Sequence, residues 1–347
     1  MDTREAKKPR PTGKGLFAMH ILKELMRRGI SVEECGGGGG LLWHFRKART
    51  IRKTKPDLSL SPTSFIVPWL LGTKINTAIV IHDLIAFGHE PLNHLRTARV
   101  QGTAHDAKAM MIERLLLPRV LNTARFIFCV SKATKTDLLK KFPKTDASKI
   151  TVIYEGPTVS SEPQNLRTPK PAHPYILSLG TLCPRKNQLR LIQAFNALPR
   201  SLKDRTRLIL AGGRGWQDGE IVELAKNSPN VEWRGYVPAQ ELNELFARAA
   251  VLAFPSFKEG FGLPVLDAMA LGVPVLTSNV SSMSEVAGDA ALLVDPRSVE
   301  DIAKGLQRLL LDEDLRSALI AKGRERAKLF SWERTVDLMM EVLHTSC

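Results

Sequence analysis

Apolar and polar positions follow one another along this chain in two alternating patterns. Short runs rich in apolar and β-branched residues, at 57–61, 77–81, 125–130 and 149–154, read as strands. Longer segments with apolar residues every three or four positions, at 15–28, 106–122 and 132–141, read as helices. A stretch rich in Pro, Ser and polar residues, 156–174, reads as a linker. The alternation then restarts, with strands at 175–179, 207–211, 231–236, 251–255, 274–277 and 291–294 and helices between them, the first at 187–197. Three helices, 299–310, 315–329 and 332–344, close the chain. Such alternation predicts parallel sheets covered by helices. The fold class expected is therefore α/β, with two tandem Rossmann-like doubly wound domains and a cleft between them. The boundaries expected are 1–170 and 171–330, with 331–347 as a C-terminal helix packing back toward the first domain. Ligands in such sheets sit beyond the carboxyl ends of the strands.

Two segments break the pattern. Residues 36–40 are five consecutive glycines, which read as a flexible loop. Residues 1–14 hold no apolar strand, although a doubly wound domain should start with one. Either the first strand of this domain is missing or the domain is irregular.

Composition narrows the picture. At 347 residues the chain is long enough for two cores, and 44% hydrophobic with 24% charged residues is ordinary for a globular protein. The most apolar window, 65–71, is short and contains Pro68, so no membrane-crossing helix is expected. The N-terminal residues lack the apolar region of a secretory signal. Cys35, Cys129, Cys183 and Cys347 are scattered, which argues against a disulfide framework or a metal cluster and for a reducing, cytoplasmic setting.

Charge is the least ordinary property. The net charge is +15, and residues 1–170 carry 29 of the 50 Lys and Arg but 14 of the 35 Asp and Glu. The excess gathers at Arg4, Lys7, Lys8, Arg10 and Lys14, and again at Arg46, Lys47, Arg49, Arg52, Lys53 and Lys55. This is either a solvated basic face or a surface attracted to anionic lipid, at the inner face of the cell membrane. No aromatic-interleaved basic motif accompanies it, so nucleic acid is not expected as a partner.

The most informative segment is 256–274. Glu259 and Asp267 are separated by seven residues, and the turn Gly260-Phe261-Gly262 lies after the first of them. Leu263 and Pro264 then open a short helical run. A glycine turn at a helix start presents unpaired N–H groups and suits a phosphate. Ionised carboxylates accept only, so they read sugar hydroxyls well. Arg185 and Lys186 stand between a predicted strand and a predicted helix, where two cations suit a diphosphate gaining charge as a bond breaks. His82 follows the strand at 77–81, either as a contact to a reacting sugar or as a structural loop residue. Gly13 and Gly15, around Lys14, precede a helix without completing a P-loop. Gly213 lines a nucleotide pocket or forms a plain turn, and Glu285 approaches the nucleotide or serves as an N-terminal helix charge. Ser131 reads as a helix cap, with no elbow or triad around it to make it a nucleophile.

With these residues in hand, the chain resembles the family 4 (group 1) glycosyltransferases of the GT-B fold, mannosyltransferase-like members in particular. The blocks GTLCPRKN, EGFGLPVLDAMALGVPV, SEVAGDAALLVDP and FSWERTV carry the resemblance, with PTGKG, VIHDL and CVSKATKTDLL. It implies transfer of a hexose from a nucleotide diphosphate sugar to a glycan or lipid-linked acceptor with retained anomeric configuration. No cofactor or obligatory metal is implied, and GDP-mannose is the favoured donor. It also implies roles. Arg185 and Lys186 stabilise the leaving diphosphate, Glu259 contacts the donor sugar, and backbone amides from Gly260 through Phe261 and Gly262 to Leu263 hold sugar and phosphates. Asp267 holds the ribose hydroxyls, His82 sits at the reacting sugar, and Gly13 and Gly15 face the phosphates. The leaving phosphate accepts the acceptor's proton, so no enzymic nucleophile is called for. The chain departs from the family pattern with Asp267 in place of Glu, Thr181 in place of Arg and Glu155 in place of Asn. An inactive relative serving as a binding or scaffold subunit is the alternative.

Overall fold

The structure is a computed structural model that describes residues 1–8, 12–37, 41–87, 103–159 and 173–345. Arg10, Pro11, residues 38–40 and most of the expected linker lie outside these. The chain divides into two compact units, one of Met1–Gly156 with Phe330–Cys347 and one of Pro157–Leu329. The division falls at 156/157, where the sequence suggested 170/171. Of the expected linker, residues 156–159 are among those described: Gly156 packs closely on Trp332 in the first unit, and Thr158 bonds to Asp267 in the second.

The first unit is built on a parallel sheet of β1 (Ser59–Ser61), β2 (Thr77–Ile81), β3 (Phe126–Cys129) and β4 (Ile150–Val152), in that order. All five residues of β2 and all four of β3 are buried, as continuous apolar runs in a two-sided sheet must be. Ile79, Ile81 and Ile127 pack with Leu117, Val120 and Leu121 of the helix Thr103–Thr123. The expected gap at the start of this unit is partly filled. Asp2 bridges Cys35 in parallel, and its N–H donates to the carbonyl of Leu60 in β1 at 3.1 Å. Residues 1–3 thus lie along β1, tied to it by this hydrogen bond and to Cys35 by an isolated bridge. Sequence periodicity did not give the helix Leu41–Thr54, whose inner face of His44, Ala48 and Ile51 is short and only weakly apolar.

The helix Trp332–Thr345 belongs to this first unit. Its first residue, Trp332, lies edge-on to Phe17 at 5.7 Å and stacks on His20 at 4.6 Å with the rings 3° apart. Arg28 of the opening helix segment donates to Asp337 at 2.6 Å. Burial, and then the neighbouring Lys23 charge, pull the His20 imidazole down to about 4. Because the folded value lies below the unfolded one of 6.5, this group's contribution is complete above pH 6.5 and is lost as pH falls toward 4. The loss expected is about 2 kcal/mol after allowing for the ring's partial exposure. His20→Phe should keep the stacking and flatten the dependence of the urea midpoint between pH 7 and 4. An unchanged slope would show that His20 is not the group responsible.

The second unit carries six parallel strands: β5 (Tyr175–Leu179), β6 (Arg207–Ala211), β7 (Val231–Gly235), β8 (Val251–Phe254), β9 (Val275–Ser278) and β10 (Leu292–Val294). Their spatial order is β10-β9-β8-β5-β6-β7. Read from the other edge this is the doubly wound order 3-2-1-4-5-6. Its core joins Ile176, Leu208 and Val251 of the sheet to Leu191, Ile192 and Phe195 of the helix Gln188–Asn196, and to Ile302, Leu306 and Leu309 of the helix Val299–Leu311. The order reverses between β5 and β8. A doubly wound sheet opens its ligand crevice at the carboxyl ends of that pair.

Candidate active site

The loops after β5 and β8 bring Arg185, Lys186 and Glu259 together at this reversal. The first loop ends in a 3-10 turn, Pro184–Lys186. Asn187 follows it in the left-handed region, with φ 62°, and donates its side-chain amide to the carbonyls of Pro255 and Pro296 at 3.0 and 2.7 Å. That residue is 1% exposed and fixes the β5 loop to the β8 loop; its signal was an Asn at a strand-to-helix turn, where αL is tolerated. The N–H of Phe257 donates to the carbonyl of Arg185 at 2.9 Å and ties the same loops again. Beside them, Gly212 is pressed so closely on the first loop that a Cβ there would lie 2.1 Å from the carbonyl oxygen of Gly180.

The three charged groups form one cluster. Arg185 Nη1 is 2.7 Å from Glu259 Oε2, and Lys186 Nζ is 2.8 Å from Glu259 Oε1. Arg185 also donates to the carbonyl of Lys258 at 2.6 Å, and the Lys186 ammonium lies 4.5 Å from the centre of the Phe254 ring. Burial pushes the Glu259 carboxyl up, but the charges and hydrogen bonds of Lys186 and Arg185 outweigh it and leave it below its usual range. Burial pulls Lys186 down, with Glu259 opposing and Arg185 adding to the fall. Two cations on one carboxylate leave the cluster net positive.

The turn after Glu259 leads into the helix Leu263–Ala270. Gly262 caps it with φ 115°, and a Cβ there would meet Met283 Cε at 2.4 Å, so both conformation and space call for glycine. Pro264 has no N–H. The turn therefore sets the amides of Gly262 and Leu263 at the helix start, after Gly260 and the buried Phe261. Ser281 and Ser282 both donate to the carbonyl of Glu259, at 2.9 and 3.0 Å, and hold the loop against the next one. Asp267 is 5% exposed, and its two oxygens accept the N–H and the hydroxyl of Thr158, each at 2.7 Å. Sequence reasoning did not single out Thr158, which lies in a stretch read as linker. Glu285 sits in the helix Ser282–Ala287, half-buried, with its carbonyl accepting from Arg326 at 2.7 Å. Gly213 accepts the N–H of Leu182 at 3.0 Å, which puts it beside the Arg185 loop.

The other sequence candidates lie in the first unit. His82 follows β2 and is 8% exposed; its Nε2 is 2.9 Å from the carbonyl of Pro62 and its Nδ1 is 3.3 Å from Glu155. A carbonyl only accepts, so Nε2 carries a proton. Both ring nitrogens are engaged within the unit. Gly13 and Gly15 are not in a loop as expected: both lie in the first turn of the helix Gly13–Arg27, and Lys14 reaches to 3.9 Å from Asp83. Ser131 caps its helix, accepting the N–H of Thr134 at 3.0 Å.

Two Rossmann-like units of parallel sheet, the second with a cation pair and a glycine-capped helix at its sheet reversal, have the parts of the GT-B fold. The comparisons agree. The family model "Glycosyl transferases group 1" matches residues 163–326. An O-antigen chain mannosyltransferase B of Escherichia coli is 37% identical over 84% of this chain and 75% of its own. An O-antigen chain mannosyltransferase of Salmonella typhimurium is 29% identical over 71% of this chain and 70% of its own. The crystal structure of Anabaena HepE in complex with UDP and glucose superposes with a TM-score of 0.69 at 17% identity, covering 97% and 96% of the two chains. This chain belongs to the group 1 glycosyltransferases.

Proposed function

We propose that the protein transfers a hexose from a nucleotide diphosphate sugar to a glycan or lipid-linked acceptor with retention of configuration, as a family 4 enzyme would. The observation that carries this reading is the convergence of Arg185 and Lys186 on Glu259 at the reversal of the second sheet. In this reading the cation pair takes up the charge that grows on the leaving diphosphate, Glu259 and the amides near Gly262 hold the sugar and phosphates, and Asp267 faces the ribose. Two cations already occupy the place where diphosphate charge develops, so no obligatory metal is part of the proposal. The departing phosphate oxygen takes the acceptor proton, which balances the transfer. The first unit takes the acceptor, with His82 near the reacting sugar. Mannose is favoured because the relatives named above are O-antigen mannosyltransferases, and GDP-mannose is the donor proposed. Incubation with GDP-mannose and a mannose-terminated lipid-linked glycan should give a product whose new linkage keeps the donor's α configuration by NMR. A β linkage would overturn retention. Folded protein inactive with every GDP- and UDP-sugar would favour the scaffold reading.

A second reading concerns location. Among the described residues no helix is long and apolar enough to cross a membrane. The helix Leu41–Thr54 contains no acidic residue, and its outer face shows Leu42 at 74% and Phe45 at 49% exposure beside the exposed Arg46, Arg49, Arg52 and Lys53. Arg52 donates to the carbonyl of Leu70, next to Trp69, which is 41% exposed. We propose that this face rests on anionic lipid at the cytoplasmic side of the membrane, with apolar side chains entering and cations flanking. Reversing the charges of Arg46, Arg49 and Arg52 should abolish sedimentation with vesicles rich in phosphatidylglycerol. Unchanged sedimentation would overturn it.

A further inference from the structure

Thr158 meets Asp267 in a way that ordinary packing does not require. Its N–H donates to Oδ1 and its hydroxyl to Oδ2, both at 2.7 Å, so one residue supplies both carboxylate oxygens. The two donor atoms are attached to adjacent carbons, Cα and Cβ. A ribose offers its 2′ and 3′ hydroxyls in the same 1,2 arrangement. We propose that Thr158 is a built-in stand-in for the ribose diol, competing with ribonucleotides for Asp267 and so lowering the preference of the donor site for them over analogues without the hydroxyls. The inference rests on the reading of Asp267 as the ribose partner.

The physical reason lies in what the exchange costs. Asp267 is buried, so an oxygen left without a donor is penalised. A diol replaces both Thr158 donors at once and leaves neither oxygen bare. Thr158 is half-buried at the surface of the unit, so its released groups can turn to water. A ligand with no hydroxyl at 2′ or 3′ leaves Thr158 in place on Asp267 and gains nothing from it. The shorter Asp side chain suits the arrangement, since the carboxylate is held by the chain's own residue until a diol arrives.

The test is calorimetric titration of the full chain with GDP and with 2′,3′-dideoxy-GDP, and in parallel with the two uridine counterparts. Thr158→Val keeps the N–H and the shape but loses the hydroxyl. It should bind the ribonucleotide about three- to tenfold more tightly, the worth of one competing hydrogen bond, and leave the dideoxy form unchanged. Thr158→Ser should bind as the wild type does, and Thr158→Ala serves if the valine variant melts early. Equal ribonucleotide affinity in the wild type, Thr158→Val and Thr158→Ala would overturn the proposal, as would equal tightening of the dideoxy form. Asp267→Asn separates the two layers: weakened ribonucleotide binding upholds the ribose reading even if the stand-in fails, and unchanged binding overturns both. So does a wild type that binds neither nucleotide at millimolar concentration.

Discussion

Lys186→Ala should lower the turnover number by about 10²–10³-fold, the usual cost of removing one preorganised donor from developing negative charge. The ammonium is held on three sides: by Glu259 at 2.8 Å, by the Phe254 ring, and by a loop that Asn187 fixes to its neighbour. Nothing has to reorganise when charge appears on a departing phosphate. Alanine leaves Glu259 paired with Arg185, so the unit should still fold and the loss should fall on the rate. Single-turnover transfer read beside the affinity for GDP checks this. A drop in turnover with affinity nearly kept marks an interaction made mostly in the transition state, whereas equal loss in both marks ground-state binding. A loss under fivefold would remove Lys186 from the chemistry. Lys186→Arg should not restore activity, because the larger planar fork cannot set a single compact charge 2.8 Å from Glu259 Oε1 in the buried space of an ammonium.

Glu259→Gln should instead strike stability. Removing the carboxylate leaves two cations side by side in a buried place, and breaking such a cluster costs about 3 kcal/mol. Lys186 would then be pulled further down, losing the support that Glu259 gives it against burial. The pH dependence has a definite sign. The folded carboxyl lies below the unfolded value of 4.5, so its contribution is complete above pH 4.5 and is lost as pH falls below it. Urea unfolding of the second unit should show wild type well above the variant at pH 7.5, with the two converging toward pH 3. A constant gap across that range would mean that the ionised carboxylate is not what stabilises the site.

The candidate site of the second unit was legible because its signals are local. Glycines at forced backbone positions, a proline at a helix start and cations at a strand end each announce themselves within a few residues. The strands of the second sheet were legible for a similar reason, since buried parallel strands are unbroken apolar runs. What was hidden depends on distance along the chain. Thr158 matters only through Asp267, 109 residues away, and Asn187 only through Pro255 and Pro296. The helix Leu41–Thr54 was hidden differently: its buried positions are His44, Ala48 and Ile51, and its cations drew the eye to charge rather than period. The bridge of Asp2 to Cys35 is too short to leave a pattern.

The membership of Trp332–Thr345 in the first unit bears on how the protein is made. Residues 157–329 form one uninterrupted stretch, so the second unit has all its parts once that stretch has left the ribosome. The first unit, though begun earlier, waits with the faces of Phe17 and His20 uncovered until Trp332 arrives. Domains usually complete in the order they are synthesised. Here the later one finishes first, and a chain released at residue 329 should hold a protease-resistant second unit behind a first that is still cleavable.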